Sequence, residues 1–324
     1  MIKTNTRIIG NYLDNILIYF PFWFPFIYLG LIINIPQVST FIFVAVLFMF
    51  AESHFATTWL FLFDRSNYKW AKDNLYELLI QPLFLIFLFI IFWNINTSIV
   101  LILHYIASGW HVTRQSIGVS KLSKNKSKAK FLLIYTFSFL CLCIGLLNPG
   151  IFALNLSRSI FNTILLTFFV SYLVGIYLAE RVKINLLDKN NLSILTGISI
   201  YLPLLFFEDV AVALAIGVGM HWVQYLALTL TTNGRKLFFS KSKNNLFTNK
   251  KFILISSFIL IYSLIMTSLT VVGVQEVSNQ SSNSSYLYLI PILFQFYHFY
   301  IDRYLWRFSD PHIQKNVVPY IFRN

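Results

Sequence analysis

Phe296-Tyr297-His298-Phe299-Tyr300-Ile301-Asp302-Arg303-Tyr304-Leu305-Trp306-Arg307 begins as an apolar helix of the kind that lipid solvates and ends as a basic, aromatic membrane boundary. Within it, His298 and Asp302 lie four residues apart, so they share one helix face. Ionisable groups inside a membrane are costly to place and mark functional sites. Two questions follow: whether the rest of the chain is also solvated by lipid, and whether other polar groups converge on this pair.

The composition answers the first. Of 324 residues, 57% are hydrophobic and only 11% charged, and the mean hydropathy is +0.68. A soluble domain carries about 25% charged residues, and no soluble fold of this size could cover so many Phe, Leu and Ile, so most of the chain has lipid as its solvent. The net charge of +13 would suggest nucleic acid on a soluble protein. Here the basic residues sit in short loops and act as topology signals, and there is no nucleic-acid signature. Cys141 and Cys143, two residues apart in mid-span, point apart on a helix, which makes neither a disulfide nor a metal pair. The basic segment Met1 to Arg7 lacks a small-residue cleavage site, so the first span is expected to stay as an anchor.

Ten apolar spans are expected, at about 12–34, 38–63, 75–95, 98–114, 130–148, 157–180, 192–207, 209–232, 251–274 and 285–307. Pro21 and Pro25 should bend the first, and Asn148-Pro149-Gly150 is a turn after the fifth. Lys and Arg fall before span one and after spans two, four, six, eight and ten, while the loops between carry almost none. That alternation places both termini in the cytoplasm. The expected architecture is therefore all-α: a polytopic membrane helix bundle of about ten spans, one domain over residues 1–324. Its cytoplasmic parts are loops near 114–130 and 233–251 and a tail at 308–324.

Histidines answer the second question. His54, His104, His111, His221 and His298 all lie on even-numbered spans, which run in the same direction. His54 is ten residues before Asp64, His104 ten before Arg114, His221 fourteen before Arg235 and His298 nine before Arg307. At 1.5 Å per residue these four share a depth of roughly 15–20 Å from the inner boundary. Each alone reads as a hydrogen-bonded packing residue. Four at one level, with carboxylates near, point to a shared site, and neutral imidazole is the commonest side-chain ligand of transition metals. His54, His104, His221 and His298 are thus expected metal ligands, for Fe(II), Zn or Cu. His111, two turns from His104, together with Glu52 and Asp302, is expected to orient ligands or handle protons. Gly217-Val218-Gly219 should let another helix approach closely beside His221. No Ser-His-Asp set and no nucleotide-binding motif accompanies them.

The closing segment His298-Phe299-Tyr300-Ile301-Asp302, Trp306-Arg307 and Pro311-His312 resembles that of the Brp/Blh family of bacterial membrane-embedded β-carotene cleavage enzymes. His54 with Asp64, and the pair His104 and His111, are similar to that family's internal histidines. The resemblance implies an Fe(II) site and oxidative attack on an isoprenoid or other lipid-soluble substrate. The expected function is accordingly a metal-dependent, non-haem-iron oxygenase or oxidoreductase acting on a carotenoid or acyl lipid, with membrane lipid and a hydrophobic small molecule as partners. A proton- or ion-coupled transporter with a midplane histidine site is the alternative that ten spans and buried titratable groups also fit.

Overall fold

The computed structural model describes residues 7–123, 126–146, 163, 167, 170, 174, 188–207, 209–239, 245–278 and 285–322. Among these every regular element is a helix. The first expected span is broken where Pro21 removes a backbone donor: helical turns at Asn11–Leu13 and π-helical Asp14–Tyr19 precede it, and α1 (Trp23–Asn34) follows. The second is a composite of α2 (Ser39–Val46), a π-helical stretch (Leu47–Glu52) and α3 (Ser53–Phe63). Asp64 then leaves helical geometry and accepts the amides of Ser66 and Asn67, which caps α4 (Arg65–Asp73).

After π-helical Tyr76–Ile80 come α5 (Gln81–Ile95), α6 (Thr97–Leu122) and α7 (Lys128–Leu146). The expected span 157–180 and the turn Asn148-Pro149-Gly150 lie outside the described residues, apart from 163, 167, 170 and 174. The expected span 192–207 is an 11-residue helix, α8 (Lys189–Ser199), followed by a 3-10 turn, Leu202–Leu205, around Pro203. At 1.5 Å per residue α8 covers about half the hydrocarbon thickness. Three long helices follow, α9 (Val210–Phe239), α10 (Asn245–Ser278) and α11 (Ser285–Leu305). The tail carries two short ones, α12 (Pro311–Asn316) and α13 (Val318–Ile321). Among the described residues, four stretches are long and apolar enough to cross a membrane: Pro36–Leu62, Tyr76–Ile95, Val210–Lys236 and Lys250–Val274.

Contacts divide the chain into two compact units. One comprises Met1–Asp14, Leu31–His111 and Trp222–Asn324. In it α10 lies along α11, close enough that a Cβ on Gly273 would stand 2.5 Å from the Tyr288 backbone nitrogen. Phe55 and Ala56 of α3 pack with Tyr262 and Met266 of α10. Trp93 and Val100 pack with Leu289 and Ile292 of α11. The tail is tied down in the same unit. Arg235 donates to the carbonyls of Ile8, Tyr320 and Ile321, Lys236 meets Asp64 at 2.9 Å, and the His312 ring stacks on Trp70.

The other unit comprises Asn15–Gly30 and Val112–His221. There α8 packs on α7 with Gly197 against Ile134, and the Ser138 hydroxyl donates to the Gly197 carbonyl. The close approach expected at Gly217-Val218-Gly219 is present. A Cβ on Gly217 would meet the Ile200 carbonyl oxygen at 1.8 Å, and one on Gly219 the Phe24 ring at 2.0 Å.

Candidate metal centre

Three helices of the first unit bring three imidazoles together. His54 enters from α3, His111 from α6 and His298 from α11, each buried, with one ligand atom apiece all within 4.8 Å of one another. The His298 and His111 Nε2 atoms are 3.1 Å apart. Metal–imidazole bonds of about 2.0–2.1 Å would span that gap with an angle of roughly 100° at the ion, between the octahedral and tetrahedral values. That separation suits two imidazoles on one ion, and the three ligand atoms, all within 4.8 Å of one another, could hold one.

A hydrogen bond fixes the tautomer of His54, and a chain of them leads from His298 to Asp302. His54 Nδ1 lies 3.0 Å from the Ala51 carbonyl oxygen, which can only accept. The proton is thus on Nδ1 and the lone pair on Nε2. His298 Nδ1 is 2.7 Å from Thr58 Oγ1, Thr58 Oγ1 is 2.6 Å from the Tyr225 hydroxyl, and that hydroxyl donates at 2.8 Å to Asp302 Oδ1. The other carboxylate oxygen, Asp302 Oδ2, approaches the Nε2 atoms of His298 and His111 at 3.7 Å and 4.0 Å. Aromatic rings close the surroundings: Phe55 is 4.8 Å from His298, Phe299 is 4.7 Å from His111, and Tyr225 is 4.9 Å from His54, centroid to centroid. Such a shell excludes water and sharpens every electrostatic interaction inside it.

The expected residues divide accordingly. His54 and His298, expected as ligands, meet there, and His111, expected as an orienting group, stands beside them in the same group of three. Asp302 is in place as the carboxylate partner. His104 and His221, the other two expected ligands, are not in this group. His104 Nε2 is 2.7 Å from Gln295 Oε1, an acceptor, so that nitrogen carries a proton and is engaged elsewhere. Glu52 also hydrogen-bonds Gln295, so it belongs with His104 rather than with the three imidazoles. His221 is buried as the last residue of the second unit. Helix α9 reaches the site instead through Tyr225, one turn later. Thr58 and Tyr225 escaped the sequence reading. Each stands four residues after a histidine, Thr58 after His54 and Tyr225 after His221, which is the one local signal they carry.

No protein-family model, no curated protein and no solved structure matches the chain.

Proposed function

We propose that this chain is an integral membrane metalloenzyme of ten spans with both termini cytoplasmic. In this reading His54, His111 and His298 hold a single iron(II) ion that serves the oxidation of a lipid-soluble substrate, a carotenoid or an acyl chain. The observation that carries it is the buried group of three imidazoles from three helices, two with hydrogen bonds that leave Nε2 bare. Imidazole-rich sites with open positions suit iron and oxygen chemistry, and the resemblance of the His298 to His312 segment to the Brp/Blh family implies the same class. When bound, the ion would supply redox chemistry that no side chain here can perform alone.

The chain's own residues do the rest. His54 is oriented by its bond to the Ala51 carbonyl. His111 and His298 bring their Nε2 atoms 3.1 Å apart, and for both to hold an ion the proton shared between them would have to leave, His111 keeping its ring proton on Nδ1. Asp302 sets one negative charge against the cation. Phe55, Phe299 and the exposed apolar faces of the lipid-crossing helices favour a substrate that arrives from the bilayer rather than from water.

Elemental analysis of detergent-purified protein tests this. About one iron per chain is expected for a single centre with this donor set, lost in His298→Ala, together with a changed pigment or lipid profile in expressing cells. Metal-free protein that supports solute flux in proteoliposomes would instead establish the transporter.

A further inference from the structure

We infer that Thr58 and Tyr225 are positioning residues that hold His298 in its ligating form by connecting it to Asp302. This rests on the three histidines being a metal centre. It goes further by assigning the cause of the His298 tautomer to two hydroxyls.

Proton counting decides the direction of the connection. Tyr225 has one hydroxyl proton, and it points to Asp302 Oδ1 at 2.8 Å. Thr58 has one, and three acceptor positions surround it: Tyr225 at 2.6 Å, His298 Nδ1 at 2.7 Å and Asp302 Oδ1 at 3.4 Å. If Thr58 donated to His298, the short contact to Tyr225 would need the Tyr225 proton, and the buried carboxylate would lose its 2.8 Å donor. Giving up a short hydrogen bond to a buried carboxylate is costly, so the Tyr225 proton stays directed at Asp302 Oδ1. With Thr58 donating to Tyr225, every hydrogen is used once. His298 Nδ1–H donates to Thr58, Thr58 to Tyr225, and Tyr225 to Asp302. The carboxylate at one end therefore dictates a bare Nε2 at the other.

The direct route from carboxylate to imidazole, common at metal sites, is closed here. His298 and Asp302 lie on one face of α11, and Oδ2 stands 3.7 Å from Nε2, the wrong nitrogen. The hydroxyls of α3 and α9 carry the connection around to Nδ1. They also tie α3, α9 and α11 at one point: Thr58, Tyr225, His298 and Asp302 are all buried. Neighbouring contacts agree, since the Tyr225 ring lies 4.9 Å from His54 and 5.6 Å from His298, so the phenol is wedged between two ligands.

The test uses full-length protein in detergent, with histidine nitrogens labelled by ¹⁵N and the His298 signals assigned by their absence in His298→Gln. In the metal-free wild type His298 is expected as the Nδ1–H tautomer. In Thr58→Val, which removes the hydroxyl and keeps the shape, it shifts toward Nε2–H. Cobalt(II) titration should then show a dissociation constant raised roughly 10- to 100-fold, the usual cost of losing an outer-shell partner. Thr58→Ser should restore both the tautomer and the affinity, which a packing role would not do, and Tyr225→Phe should weaken binding in the same direction. An Nε2–H tautomer in the wild type overturns the inference, as does Thr58→Val with unchanged cobalt affinity. Wild-type protein that binds no cobalt while His298 keeps its Nδ1–H tautomer refutes the metal centre and leaves the hydrogen-bond connection standing, so the two failures are told apart.

Discussion

Metal-dependent stabilisation separates the three histidines that meet from the two that do not. Consider metal-stripped protein given cobalt(II) at about 100 times its dissociation constant. A ligand that binds only the folded state then adds about 2.7 kcal/mol. With an unfolding entropy of roughly 2.1 cal/mol/K per residue, a chain of 324 residues should melt about 4 °C higher. Replacing His298 removes one of the nitrogens that stand 3.1 Å apart. Loss of an outer-shell partner alone costs up to 100-fold in affinity, so loss of a ligand costs at least that. At the same cobalt concentration the stabilisation then falls to about 0.4 kcal/mol, a shift well under 1 °C. His54→Ala and His111→Ala should behave alike. His104→Ala should not: it removes the partner of the partly buried Gln295 oxygen, which lowers the baseline by about 0.6–1.7 kcal/mol, yet it keeps the full cobalt shift. Thermal unfolding in detergent with and without cobalt reads all four variants. A full shift in His298→Ala, or its loss in His104→Ala, would refute the assignment.

Other tests address the frame around the centre. Gly217→Ala places a Cβ 1.8 Å from the Ile200 carbonyl oxygen, backbone that cannot swing aside, and should cost about 1–3 kcal/mol or more. Gly118→Ala on α6 meets nothing within 4 Å and should gain about 0.5–1 kcal/mol; equal signs in thermal unfolding would contradict the packing. Asp64→Ala removes the α4 cap and the Lys236 pair, for about 1–2 kcal/mol together. Burial pushes the Asp64 carboxyl up, but the bonds from Lys236 and Ser66 outweigh it and leave it below its ordinary 3.8. Its folded-state value is depressed, so its contribution is complete above that ordinary value and is lost as the pH falls below it; unfolding at neutral and at strongly acidic pH should show this step, absent from Asp64→Ala. Burial holds the His312 imidazole below its ordinary 6.5, with Asp310 opposing. The neutral ring donates from Nε2 to Asn67 and accepts at Nδ1 from Asn316, so the docked tail is secure above that value and loosens as the pH drops through it. Fluorescence of Trp70, on which the ring stacks, should change over that window in the wild type and stay flat in His312→Gln.

How far the sequence reveals this centre depends on what a residue count can see. Helical type and membrane character are legible because composition and apolar run length are averages over many residues, and such averages survive local error. The His298 and Asp302 pair is legible because its spacing lies inside one regular helix, Ser285–Leu305. The choice between His104 and His111 is not. Depth counted back from Arg114 treats that residue as the membrane edge, but α6 runs on to Leu122 and the Arg114 side chain bonds Tyr135. The level of the site on α6 is therefore two turns further along, at His111. Facing angle fails for a second reason. Counting at 100° per residue assumes an unbroken α-helix, and Leu47–Glu52 is π-helical immediately before His54, so the direction of Glu52 relative to the site cannot be computed from its number. On α9 an error of one turn puts the expected ligand at His221, where the residue that contacts His54 and His298 is Tyr225. Hydroxyls are hardest of all. One Tyr among 18 carries no mark in a chain this aromatic, and a Thr in an apolar span usually bonds its own helix, as Thr57 does to the His54 carbonyl. Thr58, its neighbour, faces another way, toward α9 and α11. Only the packing of three helices on one another turns that ordinary residue into the link between the Asp302 carboxylate and the His298 ring.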